Sequence, residues 1–334
     1  MLLEKLSNAF GPSGYEAGVA ELVKNELGSD ALQDRFGNVY LEKKGQSSNR
    51  ILVVAHLDEV GFQIQSITDE GQLRMQPLGK WSDAVMTAQR IKIRTRSGKL
   101  ILGTFSSIPP HLSFGEASYS LEDTLVDIGC SSFAEVKDLG VSIGDPAVPA
   151  TSFQALAGEG KYLGKAFDDR VGCAVILELE KKLRERSIDP TIIYGFSVQE
   201  ELGARGALTL AEAVKPDIAI VVEGPPADDV IGRSRVEQQG RCGSGVQIRV
   251  RDEGAISSPA LVEAFENLGE KNGIPTQTAV RKKALTDAKS IQFAGGGVEC
   301  VVLGVPCRYI HSPNSIVFDS DIKACIALLE SYLS

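Results

Sequence analysis

The sequence is short of positive charge. Its 334 residues hold 35 Lys and Arg against 44 Asp and Glu, a formal net charge of −9, whereas a nucleic-acid-binding surface needs the opposite balance. Long apolar runs are missing too: none approaches the ~18 residues of a membrane-spanning helix, so a membrane partner is not expected. The opening Met1-Leu2-Leu3-Glu4-Lys5 has neither the basic region nor the apolar stretch of a secretory signal, which makes a cytoplasmic protein the expectation. Six cysteines, at 130, 173, 242, 300, 307 and 325, are scattered without a CxxC pair. They read as reduced, mostly buried thiols and not as a disulfide framework or a zinc finger. Repeats, low-complexity stretches and long charge runs are also lacking, so linkers are short.

What remains is ordinary globular composition, 43% hydrophobic and 24% charged, with a length that suggests about two domains. Short continuous apolar runs at 51–54, 191–196, 218–222 and 298–303 are those of strands buried on both faces. Segments 171–186, 204–214, 259–269 and 321–333 carry apolar residues three and four apart, the spacing of helices. Strand and helix alternate, which predicts an α/β fold. From about Phe62 to Ala157 the pattern changes to strict polar/apolar alternation, as in Phe62-Gln63-Ile64-Gln65 and Arg90-Ile91-Lys92-Ile93-Arg94. Only residues 132–139 look helical there. The expectation is an α/β domain of residues 1–62 plus 160–334, interrupted by a small β-rich domain over 63–159.

Acidic residues and histidines recur directly after the buried runs, at the carboxyl ends where open α/β sheets place ligands. The first run delivers His56-Leu57-Asp58-Glu59, and Gly164-Lys165-Ala166-Phe167 delivers Asp168-Asp169-Arg170 at the start of a helix. Later runs deliver Glu200-Glu201, Glu223-Gly224 and Ile310-His311-Ser312-Pro313. Imidazole and carboxylate without thiolate suit zinc, cobalt or manganese, and a bridging carboxylate can hold two such ions ~3.5–4 Å apart. If Asp168 bridges, one ion can take His56 and Glu223 and the other Glu201 and His311. Glu200 is then left over as a general base, and Asp58 is placed to orient the His56 imidazole. Each piece has a plainer explanation: a structural histidine, a helix cap at Asp168-Asp169, a solvated pair at Glu200-Glu201. Glu223 is the least ambiguous, because a strand end among helices is a poor place for an unpaired charge. The conjunction carries the argument. His111, in Pro109-Pro110-His111, reads as a loop residue of the inserted domain.

The strings Ala55-His56-Leu57-Asp58-Glu59-Val60-Gly61-Phe62, Gly164-Lys165-Ala166-Phe167-Asp168-Asp169-Arg170, Glu200-Glu201-Leu202-Gly203-Ala204-Arg205-Gly206 and Arg308-Tyr309-Ile310-His311-Ser312-Pro313 resemble, in order, the signature motifs of the tetrahedral, glutamyl-type aminopeptidases, a dinuclear metallopeptidase family with relatives described as endoglucanases. The resemblance implies a mixed-sheet, three-layer metallopeptidase domain with a small β-barrel-like dimerisation domain inserted between the first His and the bridging Asp. It implies metal ligands His56, Asp168, Glu201, Glu223 and His311, with Glu200 as general base; Asp58, read above as orienting His56, completes the expected catalytic set. It further implies two divalent ions, zinc or cobalt with manganese a third option. The activity would be release of N-terminal residues from short peptides with a free amino terminus, by a homo-oligomer built from dimers, up to a dodecamer. Two departures stand out. Many relatives have Asp where this chain has Glu223, and a Gly-Gly-Thr-Asp-like turn is replaced by Lys283-Ala284-Leu285-Thr286-Asp287-Ala288, which loses the backbone freedom of glycine. The run Arg281-Lys282-Lys283 reads as solvated, ahead of a role in favouring acidic side chains. A related metal amidohydrolase that deacylates amino acids, and a non-catalytic assembly homologue, are the alternatives. A glycosidase built on Glu200 and Glu201 is disfavoured, since carboxylates adjacent in sequence do not flank a sugar at ~5 Å or more and the histidines would go unexplained.

Overall fold

Alternate residues of each buried strand face opposite sides of a sheet, and here both sides are apolar. In the strand Arg50–His56, Val53 and Ala55 join one core while Leu52 and Val54 join the other. The computed structural model, which describes residues 1–112, 120 and 124–334, shows what covers each face. Helices Leu2–Asn8, Ala17–Leu27, Phe167–Leu183, Pro259–Asn272 and Asp319–Leu333 pack on the first, and Arg205–Val214 and Ala288–Ile291 on the second. The result is three layers around an eight-stranded mixed sheet. Its order is Leu32–Gln33, Val39–Lys43, Thr191–Ser197, Arg50–His56, Ile218–Glu223, Glu299–Gly304, Val246–Arg251 and Thr276–Val280.

Register places the chemistry. The four central strands run parallel, with Ser197 beside His56 and Glu223 beside Gly304. Their carboxyl ends therefore lie along one edge, and the turns that follow project from it. A three-stranded sheet of Gln154–Ala155, Lys161–Gly164 and Ser315–Phe318 pairs Gly164 with Ser315, which brings the segment leading to Asp168 beside the one that carries His311.

The inserted segment closes a six-stranded antiparallel barrel, in the order Gly61–Ile67, Leu73–Leu78, Leu125–Asp127, Leu100–Phe105, Arg90–Arg94 and Pro146–Pro149. Phe62, Ile64, Met75, Ile91, Ile93 and Phe105 fill it. Closure leaves no free strand edge. The helix Phe133–Asp138 begins where the Ser132 hydroxyl accepts the Glu135 N–H. His111 lies exposed in the short turn Pro110–Leu112, far in sequence from the strand-end residues. The six cysteines are free thiols, five of them buried. Among the described residues no helix is long and apolar enough to cross a membrane.

The N-terminal segment is tied beneath the sheet edge by a buried ionic cluster. Lys165 Nζ donates to both oxygens of Glu59 at 2.6 and 2.7 Å and to the Ala9 carbonyl at 3.0 Å. Arg170 donates to the carbonyls of Leu6, Leu57 and Gly11 and lies 3.5 Å from Glu59. Burial pushes the Lys165 ammonium down to about 8, against the pull of Glu59. The charges are tolerated because Glu59 and the backbone carbonyls around it accept hydrogen bonds from both cations.

Candidate metal centre

The strand Arg50–His56 ends with its imidazole buried. Its Nδ1 meets the Asp58 backbone carbonyl at 3.1 Å and the Asp58 carboxylate at 3.3 Å. That partnership fixes the ring, so that Nε2 is the nitrogen a metal could take once its proton is displaced. Nε2 points at Asp168 Oδ1, 3.1 Å away. The other oxygen of the same carboxylate, Oδ2, is 3.3 Å from His311 Nε2, which is also 3.2 Å from Glu201 Oε1. His311 is oriented in the same manner as His56, through Nδ1 to the Lys80 carbonyl at 2.7 Å. One carboxylate thus sits between two imidazoles, each fixed by its far nitrogen.

Asp58 does more than orient His56. Its Oδ1 accepts the Glu200 N–H at 2.9 Å, and its Oδ2 accepts the Glu201 N–H at 3.1 Å and the Ser13 hydroxyl at 2.6 Å. A single buried carboxylate therefore positions the histidine and the backbone of both glutamates. Glu16 adds a second strut, accepting the N–H groups of Gly14 and Gln199 at 2.8 and 3.1 Å. Burial, with Asp58 nearby, pushes the Glu16 carboxyl up to about 7.

Side chains of His56, Asp168 and Glu201 form one group able to hold a metal ion, and His56, Asp169 and Glu223 another, with ligand atoms within 4.8 Å of one another in each. Asp169 was not among the expected ligands. Its oxygens are already engaged, Oδ2 by the His56 N–H at 3.2 Å and Oδ1 by the Gly172 N–H at 3.0 Å, which makes it a support for the His56 backbone. Charge is crowded here. Burial opposes ionisation of Asp168, but hydrogen bonds from His311 and His56 outweigh it and hold the carboxyl low. Burial and its acidic neighbours push Glu223 up to about 8 and raise Glu200 and Glu201. Burial works against the His311 cation, yet Glu201 and Asp168 carry it up to about 11.

These groups open into a cavity of about 590 Å³ lined by Asp168, Glu200, Glu201, Glu223 and His311, with Arg249, Leu285 and Pro225 among the other walls. His56 and Asp58 lie buried beneath it. The matching family model, described as M42 glutamyl aminopeptidase, covers residues 37–328. The chain belongs to the M42 aminopeptidase family. The glutamyl aminopeptidase of Lactococcus lactis subsp. cremoris is 34% identical over 341 residues, 99% of this chain and 95% of that protein. The TET aminopeptidase of the marine sediment archaeon Thaumarchaeota archaeon SCGC AB-539-E09 superposes with a TM-score of 0.96 at 34% identity, over 99% of this chain and 94% of that one. The Pyrococcus horikoshii TET1 peptidase, which can assemble into a tetrahedron or a large octahedral shell, gives 0.87 at 32% identity over 99% and 97%. Membership makes this chain a peptide-bond hydrolase.

The M42 frame also shows what the sequence concealed. Arg281 is not solvated like Lys282 and Lys283: its Nη1 pairs with Asp228 at 2.5 Å and its Nη2 reaches the Pro226 carbonyl. Ala284 keeps a φ of 107°, a glycine-favouring conformation that costs an alanine roughly 1–3 kcal/mol. Asp287 is buried and accepts the Ser197 hydroxyl, next to His56 in the ladder, so the Thr286-Asp287 pair braces the sheet edge.

Proposed function

We propose that the protein is a dinuclear metal-dependent aminopeptidase that releases single residues from the free amino termini of short peptides. The observation that carries this reading is the Asp168 carboxylate held between the two imidazoles. His56 and Glu223 would hold one ion and Glu201 and His311 the other, with Asp168 shared. The donor set fits: three protein ligands per ion, oxygen and nitrogen only, and a surplus of buried carboxylates that cations would neutralise. When bound, zinc, cobalt or manganese would polarise the scissile carbonyl and acidify the attacking water. Glu200, outside the ligand set, takes the proton from that water and returns it to the leaving amine nitrogen. Asp58 keeps Glu200, Glu201 and His56 in one arrangement, so no reorganisation accompanies the step.

Residues 1–62 with 160–334 are assigned to catalysis and 63–159 to dimerisation. Exposed Leu100, Leu102, Ile108 and Leu112 on the barrel side supply apolar surface for self-association, and the relatives' shells make a homo-oligomer, up to a dodecamer, the assembly proposed. Free cysteine thiols accord with a cytoplasmic location. The test uses metal-stripped protein with zinc, cobalt or manganese added back, and amino-blocked and unblocked peptides. Metal-dependent release confined to unblocked peptides is expected. Release from blocked substrates alone would reassign the protein to deacylation, and silence on both would leave a non-catalytic homologue.

Arg249 sets a preference at the same cavity. Its guanidinium is buried in the wall, with Nη1 held by Asp252 at 3.3 Å, and among the described residues its Nε has no hydrogen-bond partner. A fixed cation in the wall attracts a carboxylate in the cavity. N-terminal Glu or Asp is therefore favoured over Leu. In Arg249→Met the ratio of kcat/KM for Glu-starting over Leu-starting peptides should fall at least about tenfold, and an unchanged ratio would remove Arg249 from the specificity pocket.

A further inference from the structure

A second cavity, of about 610 Å³, adjoins the catalytic one and shares Lys80, Ile310 and His311 with it. The Lys80 carbonyl and the His311 imidazole are hydrogen-bonded across the saddle between them. The two spaces differ in chemistry. The catalytic cavity is crowded with carboxylates, whereas none of the described residues lining the second is Asp or Glu. Trp81, Val85, Tyr309 and Pro313 give it apolar and aromatic walls, with Gln89 and Asn314 as neutral amides.

Those walls are held in place before anything binds. The Trp81 indole stacks on Phe62 with centroids 4.8 Å apart and 24° between planes, and its Nε1 donates to the Gly61 carbonyl at 3.0 Å. The Tyr309 carbonyl accepts the hydroxyls of Ser312 and Ser315 at 2.6 and 3.0 Å. The Tyr309 side chain remains half exposed, although its backbone is pinned. A preformed aromatic surface of this kind binds at low entropic cost.

We infer that this groove receives the second residue of the peptide, the one left at the new amino terminus after cleavage, and that it selects an apolar or aromatic side chain there. The inference rests on the aminopeptidase reading. An exopeptidase must hold one residue on one side of the scissile bond and let the chain continue on the other. Arg249, Pro225 and Leu285, all from the catalytic sheet and its turns, wall the cavity that takes the first residue. Lys80, which follows the barrel strand Leu73–Leu78, lines both cavities and Trp81 beside it lines the second, so the groove adjoins the first at Lys80, Ile310 and His311. A chain continuing over the saddle passes Trp81 and Tyr309. A basic second residue would lose hydration against those walls and gain no carboxylate partner.

The test compares release of the first residue from Glu-Phe-Gly and Glu-Gly-Gly, and from Leu-Phe-Gly and Leu-Gly-Gly. Phenylalanine in second place should raise kcat/KM by about tenfold or more over glycine, whichever residue leads. In Tyr309→Ala, and in Trp81→Phe, which keeps a ring on Phe62, that ratio should fall toward one. A purely structural lesion would lower both peptides of a pair alike and leave the ratio intact, which overturns the groove, as would equal rates with wild-type enzyme. In both of those cases release itself continues, and the aminopeptidase reading stands. No release from any unblocked peptide would instead overturn that reading and this inference together.

Discussion

The Glu200→Gln variant is expected to lose roughly 10²–10⁴-fold in turnover, the range set by removal of a general base, while its metal content stays at the wild-type level. The two side chains have nearly the same volume, and the glutamate backbone is anchored by Asp58 through an N–H that the substitution keeps. The fold and the neighbouring ligands therefore survive. What disappears is the ability to accept a proton at a position lining the cavity beside Asp168, Glu201 and Glu223. Steady-state kinetics with excess metal, paired with metal stoichiometry, checks both halves. Turnover within about threefold of wild type would strip Glu200 of the role, and loss of metal would make it a ligand instead.

Lys165→Met should destabilise the fold by about 3–5 kcal/mol, the cost of stranding a buried charge by removing its partner. Lys165 and Glu59 are almost fully buried, and the ammonium supplies both short contacts to the carboxylate. Arg170 stays 3.5 Å from Glu59, so the loss belongs at the lower end of the range. The double variant Glu59→Leu with Lys165→Met should recover only part of it, because it removes the stranded carboxylate but leaves Arg170 held by backbone carbonyls alone. Denaturant unfolding of the three proteins settles the matter, and equal stability of Lys165→Met and wild type would show the cluster to be energetically idle.

Elements with a strong local pattern were readable from the sequence. The runs at 51–54, 191–196 and 218–222 became central strands because two-sided burial demands uninterrupted apolar residues, and the 62–65 and 90–94 alternation became barrel strands. The resemblance named the strand-end residues that line or underlie one cavity. Partnerships between distant segments left no such trace. Val246-Gln247-Ile248-Arg249 alternates as if half exposed, yet Gln247 and Arg249 are both buried, Arg249 in the wall of the catalytic cavity. Ser13 and Glu16 sit in a turn with no sign of the carboxylate or backbone they hold. Lys165 and Arg170 flank the Asp168 motif, but nothing local says that Glu59 is their counter-charge. Arg281 illustrates the converse: three basic residues in a row look solvated, and only tertiary packing separates the first from the other two.

The parallel register has a consequence for biosynthesis. The strand-end groups reach the cavity from five stretches of chain, the first near residue 56 and the last at residue 311. On the ribosome, His56 and Asp168 emerge and can fold well before the Glu299–Gly304 strand takes its place and carries His311 to the edge. On the ligand assignment proposed above, a chain truncated before His311 would have no complete ligand set with which to attack its own or its neighbours' exposed amino termini.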